Sequence, residues 1–98
     1  MNYRLDHIAL LVRDLDESVA FLTGVLGLEE GVNPMGGSHI RWIEIGDGRR
    51  FHLQAGDISK VHVEKQTHLA LSATDFDAVI ARFRAENIPF TETRDYVK

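Results

Sequence analysis

The chain has 98 residues, 44% of them hydrophobic and 27% charged, with a formal net charge of −4 and a pI of about 5.6. That is one domain with a modest core, and it offers no basic field for a phosphate backbone, which argues against a nucleic-acid partner. The absence of cysteine excludes disulfides and thiolate metal sites, and with no apolar leader and no run long enough for a bilayer the expectation is a cytoplasmic protein with no membrane partner.

Along the chain, the period-2 pattern of Leu5 to Val12 predicts a strand with Ile8, Leu10 and Val12 under a helix and His7, Ala9 and Leu11 on the other face. A helix follows, capped by Asp14 or Asp16, with Leu15, Val19, Leu22 and Leu26 as its apolar stripe and Gly27 suited to a left-handed C-terminal cap. Three strands are expected next. Leu28 to Val32 runs to a turn at Asn33-Pro34-Met35-Gly36-Gly37, His39 to Ile45 meets a hairpin signal at Gly46-Asp47-Gly48, and Arg50 to Ala55 completes the set. On the last of these, Phe51, Leu53 and Ala55 share one face and His52 and Gln54 the other. A second strand from His68, a second helix from about Asp75 to Glu86 with Phe76, Val79, Ile80 and Phe83 inward, and one short strand near Phe90 to Thr93 close the chain.

These halves echo one another. Displaced by 61 positions, His7 falls on His68, Ala9 on Ala70, Leu10 on Leu71, Asp14 on Asp75, Asp16 on Asp77 and Ala20 on Ala81, six identities in 22 ungapped positions where composition alone predicts roughly one or two. Repeats of this kind mark a repeated supersecondary unit. Each copy carries a histidine at the same point, and two equivalent imidazoles are a natural start for a metal site. The first copy reads β-α-β-β-β and the second only β-α-β. The expected explanation is a chain about 25–35 residues longer or pairing across a homodimer, because an unclosed sheet exposes unpaired backbone groups.

The stretch Leu5-Asp6-His7-Ile8-Ala9-Leu10, with Asp14-Leu15-Asp16-Glu17-Ser18-Val19-Ala20-Phe21-Leu22, Leu26-Gly27-Leu28 and Thr67-His68-Leu69-Ala70-Leu71, resembles the vicinal oxygen chelate superfamily of glyoxalases, bleomycin-resistance proteins and dioxygenases. The resemblance implies an α+β fold. Two βαβββ modules, the second incomplete, would curl around a shared cleft in a single glyoxalase-like domain over 1–98, with module one about 1–57 and module two about 66–98. It also implies a divalent metal (Zn, Ni, Mn or Fe), with His7 and His68 as first-strand ligands and His52 at a position that is a ligand in some members. The family's last carboxylate ligand has no counterpart in this sequence, so weak metal affinity is expected.

Each candidate has a plainer alternative. An isolated histidine on a strand is ordinarily a hydrogen-bonded, partly buried residue; the paired placement of His7 and His68 favours a ligand role. His52 is evenly balanced between ligand and cleft lining. Glu44 could serve as a base or ligand but reads better as a carboxylate exposed beside the hairpin. His39 and His62 read as solvent-facing, Trp42 as packing although it could line a pocket, and Arg41, Arg49 and Arg50 as a solvated charged hairpin that could also attract an anionic substrate. Gly36-Gly37 is a turn device with no nucleotide role. The expected function is a metal-dependent lyase, isomerase or transferase acting on a small molecule with adjacent oxygens. The alternative is a metal-free protein that sequesters a small ligand, as the bleomycin-resistance proteins do.

Overall fold

A computed structural model describes residues 1–62, 64, 66–93 and 96–97. The chain divides into two compact units, Met1–Val63 and Glu64–Lys98. The first contains β1 (His7–Val12), α1 (Leu15–Ala20) running into a π-helical turn (Phe21–Val25), β2 (Glu29–Glu30), β3 (Ile40–Gly46), β4 (Arg49–Ala55) and a 3-10 turn (Ile58–Lys60). The second contains α2 (Phe76–Ala85) and the short strands β5 (Glu92–Thr93) and β6 (Tyr96–Val97). The architecture is α+β, as expected.

In the first unit the sheet order is β1-β4-β3-β2. β1 runs parallel to β4, with His7 opposite Arg50 and Ala9 opposite His52; β3 is antiparallel to β4, with Trp42 opposite His52 and Ile43 opposite Phe51. The turn between β3 and β4 places Asp47 and Gly48 at φ 54° and 73°, the left-handed pair that a two-residue hairpin compatible with strand twist requires. One face of the sheet meets α1: Val19, Ile43, Phe51 and Leu53 are buried together, flanked by Ile8, Leu10, Val12, Leu15, Leu22, Leu28 and Ile45. The expected alternation of β1 holds, since Ile8, Leu10 and Val12 are half-buried while His7, Ala9 and Leu11 are exposed.

Helix α1 starts at Asp14, whose carboxylate accepts the Glu17 amide at 2.9 Å, so Asp14 rather than Asp16 is the cap. Its last turn widens: Leu26 N bonds Phe21 O while the Thr23 hydroxyl donates to the Val19 carbonyl, a local competition for carbonyls that accompanies departures from α geometry. Gly27 then ends it at φ 72°, and Leu28 N reaches back to Leu22 O.

The second unit repeats this logic. Asp75 caps α2 through the Ala78 amide at 3.0 Å, 61 residues after Asp14, and Asn87 takes the left-handed terminal position at φ 55°. Gly27 and Asn87 are 60 apart rather than 61, the slip that one extra residue in the π turn of the first copy produces. Two expectations are corrected. Residues 68–73 form no ladder, and Leu69 and Leu71 stand 43% and 49% exposed. A strand needs a partner, and among the described residues of this unit none plays the part that β4 plays for β1. The single strand expected near Phe90 to Thr93 is instead half of a pair, with Glu92 opposite Val97 and Thr93 opposite Tyr96.

Phe51 is 2% exposed at the centre of the first unit's core. Phe51→Ala should cost about 3–5 kcal/mol, read as a lowered urea midpoint with an unchanged denaturant slope.

Candidate metal centre

The face of the sheet turned away from α1 carries His7, Ala9 and Leu11 from β1, Arg50, His52 and Gln54 from β4, and Ile40, Trp42 and Glu44 from β3. Opposite His52 on β1 stands Ala9, whose methyl group leaves room for the His7 ring to lean diagonally across. The His7 and His52 rings stack at 4.0 Å and 10°, and His52 stacks in turn on Trp42 at 4.5 Å and 4°. Three parallel rings from three adjacent strands thus stand in a row. The Arg50 guanidinium lies 4.6 Å from the Trp42 ring centroid and donates to Glu44 at 3.2 Å. A Cβ on Gly31 would overlap the Glu44 carboxylate, so the glycine leaves room for the position Glu44 takes beside Arg50. Glu44 is therefore not simply exposed; it is half-buried and holds Arg50.

His7 Nδ1 lies 2.8 Å from Asp6 Oδ2. An ionised carboxylate only accepts, so Nδ1 carries the proton and Nε2 of the neutral ring is left as the free lone pair. The hydrogen bond from His7 in turn holds the Asp6 carboxyl below its usual range. Burial, with the nearby His7 and Arg50 charges adding to it, pushes the His52 imidazole below the ordinary histidine range. Its Nε2 is buried without a protein hydrogen-bond partner, and a buried nitrogen in that condition calls for a group from outside the chain.

The donor chemistry of this pair therefore suits a divalent ion: two imidazoles, His52 kept from protonation chiefly by burial and His7 with a carboxylate behind it. Ring orientation adds a condition. With the rings parallel, an ion in the plane of one lies roughly 3.5–4 Å from the plane of the other, well beyond the about 2.0–2.1 Å of an imidazole–zinc bond. One ring must turn about its side-chain torsions before both can bind a single ion. Among the described residues of this unit, no three His, Cys, Asp or Glu side chains form a group able to hold a metal. His68 belongs to the second unit, where it is exposed on the segment ahead of α2. The structure thus brings together His7 and His52, and it supplies Asp6, which sequence reading missed, and a stacking role for Trp42 that it did not foresee. Asp6 could have been found as the carboxylate adjoining a candidate ligand; Trp42 as a stacking partner depends on the strand register.

The three arginines separate. Arg41 lies on the helix side, bound to Glu30 through both carboxylate oxygens and to Asp16. Arg49 donates to the Leu5 carbonyl. Only Arg50 shares the face of the histidines.

A model of the Glyoxalase/Bleomycin resistance protein/Dioxygenase superfamily matches residues 4–97. No curated protein sequence matches the chain. Among solved structures, the chain is similar to the fosfomycin resistance protein FosX of Listeria monocytogenes complexed with Mn(II) and sulfate (25% identity over 100% of this chain and 75% of that one, TM-score 0.73). It is also similar to FosX of Mesorhizobium loti (23%, 98% and 77%, TM-score 0.71) and to a possible glyoxalase of Bacillus cereus (21%, 92% and 78%, TM-score 0.67).

The depressed titration of His52 has a thermodynamic consequence. As pH falls through 6.5 the unfolded chain binds a proton that the folded chain resists, so unfolding takes up protons and stability declines from about pH 7 towards about pH 5. Urea unfolding at both pH values should show a smaller decline in His52→Gln; an unchanged pH dependence would contradict the assignment.

Proposed function

The chain belongs to the Glyoxalase/Bleomycin resistance protein/Dioxygenase superfamily, and we propose that it is a divalent-metal-dependent enzyme acting on a small molecule with two adjacent oxygens. The observation that carries this reading is the contact between His7 and His52 on one sheet face, with Asp6 behind His7 and the His52 Nε2 buried without a partner. The Mn(II) complex of the similar FosX structure supports a metal of the divalent oxygen- and nitrogen-binding kind. In this proposal His7, His52 and His68 hold the ion, and the two units are halves of one glyoxalase-like domain, module one about 1–57 and module two about 66–98.

A bound ion would act as a Lewis acid on a substrate oxygen, the property common to lyase, isomerase and transferase chemistry on such substrates. The chain's own residues set the conditions for it. Asp6 fixes the tautomer and angle of His7. Burial keeps His52 neutral and therefore able to donate its lone pair. Arg50, held over Trp42 by Glu44, presents a fixed positive charge to an anionic oxygen approaching the same face. We also take the working form to be a homodimer. This is supported by the segment 68–73, which joins no ladder among the described residues and leaves Leu69 and Leu71 exposed, surfaces open to association, and sedimentation tests it.

A second reading has one observation in its favour. The stacked rings of His7 and His52 do not aim at a common point, as a metal-free binder of small ligands would not require them to.

Metal content of protein purified without an affinity tag separates the two. Metal-dependent function predicts Mn(II), Zn(II) or Ni(II) retained, with His7→Ala, His52→Ala and His68→Ala each abolishing retention. Asp6→Asn should weaken affinity by about 10–100-fold, the usual effect of removing a ligand's outer partner. No metal in the purified protein and no calorimetric binding on titration would leave the sequestering reading.

A further inference from the structure

Beside the ring stack the same sheet face opens into a recess of about 410 Å³, within the roughly 300–1,000 Å³ of small-molecule pockets. Its floor is Ile40, Trp42 and His52, and the loop carrying Asn33, Met35 and His39 forms the rim. The polar capacity of that rim is largely committed. The Asn33 amide donates to the Ile40 carbonyl at 3.1 Å and its oxygen accepts the Met35 amide at 3.0 Å, so Asn33 builds the loop and does not address a ligand. Gly37, at φ 82°, lies so close to the His39 imidazole that a Cβ would come within 3.0 Å of it. What remains for an occupant is the thioether of Met35, the Ile40 side chain, the Trp42 ring and two imidazoles. Met35 is a large apolar side chain left 87% exposed, and methionine adapts readily to flat or branched ligands.

We propose that this recess is the subsite for an apolar, ring-sized moiety of the substrate. Because His52 belongs both to the stack and to the recess, the substrate would place its adjacent oxygens at the imidazoles and its apolar part between Met35 and Trp42. The substrate class is then an aryl- or bulky alkyl-bearing compound with vicinal oxygens, not a small polyanion. The oxygen-binding half of this inference rests on the proposed metal function; the apolar half does not.

Two hydroxamates with one chelating head test it: benzohydroxamate carries an aryl group, acetohydroxamate a methyl. Binding to Mn(II)-loaded protein is read by the emission of Trp42, the chain's single tryptophan. Benzohydroxamate should bind about tenfold more tightly than acetohydroxamate, the effect of covering one face of a ring, and Met35→Ser should reduce that ratio about threefold. Equal affinities, or a ratio unmoved by Met35→Ser, would overturn the subsite. If neither hydroxamate depends on Mn(II), the metal reading alone fails. The subsite is then decided on metal-free protein, where benzyl alcohol should shift Trp42 emission at about tenfold lower concentration than ethanol, an advantage that should shrink about threefold in Met35→Ser. Absence of that difference, or binding that weakens as protein concentration rises because a second copy covers the recess, would refute it.

Discussion

The parallel pairing of β1 with β4 is the constraint from which the first unit follows. Its register sets Ile8 and Leu10 opposite Phe51 and Leu53, and His7 and Ala9 opposite Arg50 and His52. A slip of one residue would turn the buried set to solvent and drive the histidines into the core. Burial of Val19 from α1 against Ile43, Phe51 and Leu53 therefore locks the histidines on the opposite face as firmly as any contact of their own. The candidate site is a by-product of core registry. Its placement would survive replacement of the site residues themselves.

Charge on the helix side secures the same arrangement. Arg41 projects from β3 on the face opposite Trp42 and binds Glu30 of β2 with a two-pronged contact of 2.8 Å on each side, while reaching Asp16 at the start of α1. Isolated exposed ion pairs are worth about 0–1 kcal/mol, but a bidentate guanidinium bridging three elements adds geometric specificity. Its hydrogen bond holds the Glu30 carboxyl below its ordinary range. Three arginines close together in sequence thus perform unlike tasks because strand alternation sends Arg41 to one face and Arg50 to the other. Treating them as one solvated hairpin overlooked that division, although the period-2 rule contained it.

Local signals were legible wherever the determining physics is local. The cap at Asp14, one of the two aspartates the sequence offered, the left-handed stop at Gly27, the Asp47-Gly48 turn and the inward face of β1 all depend on side chains within a few residues of one another. The π turn at Phe21–Val25 was not legible: it shows in the Thr23 hydroxyl bonding the Val19 carbonyl and Leu26 N bonding Phe21 O, a choice among neighbouring carbonyls that the side-chain pattern does not fix. The strand expected from His68 failed for a different reason. Alternation shows that a segment could lie in a sheet, but a ladder exists only when a partner supplies its hydrogen bonds. The likeness of His68 to His7 is a likeness of pattern, and pattern does not carry hydrogen-bonding partners with it. The same limit applies to the site: the histidines could be named from the sequence, whereas the stack through Trp42 depends on the cross-strand partner of His52.

His52 is where these strands of argument meet. It touches His7 on one side and Trp42 on the other, borders the apolar recess, and has a ring nitrogen buried without a partner. The parallel stack is a favourable arrangement of flat rings, so turning His52 towards a shared ion gives up part of that contact. A ligand that also covers Trp42 would restore apolar contact on the same ring. In the proposed site, metal coordination and occupation of the recess would thereby be linked through a single side chain. An occupant that fills both should bind more favourably than the separate affinities of its two halves imply, since the second half then meets a ring already turned. The orientation that argues against metal binding by the isolated pair is, on this account, the reason a substrate with both an oxygen pair and an apolar body would be preferred.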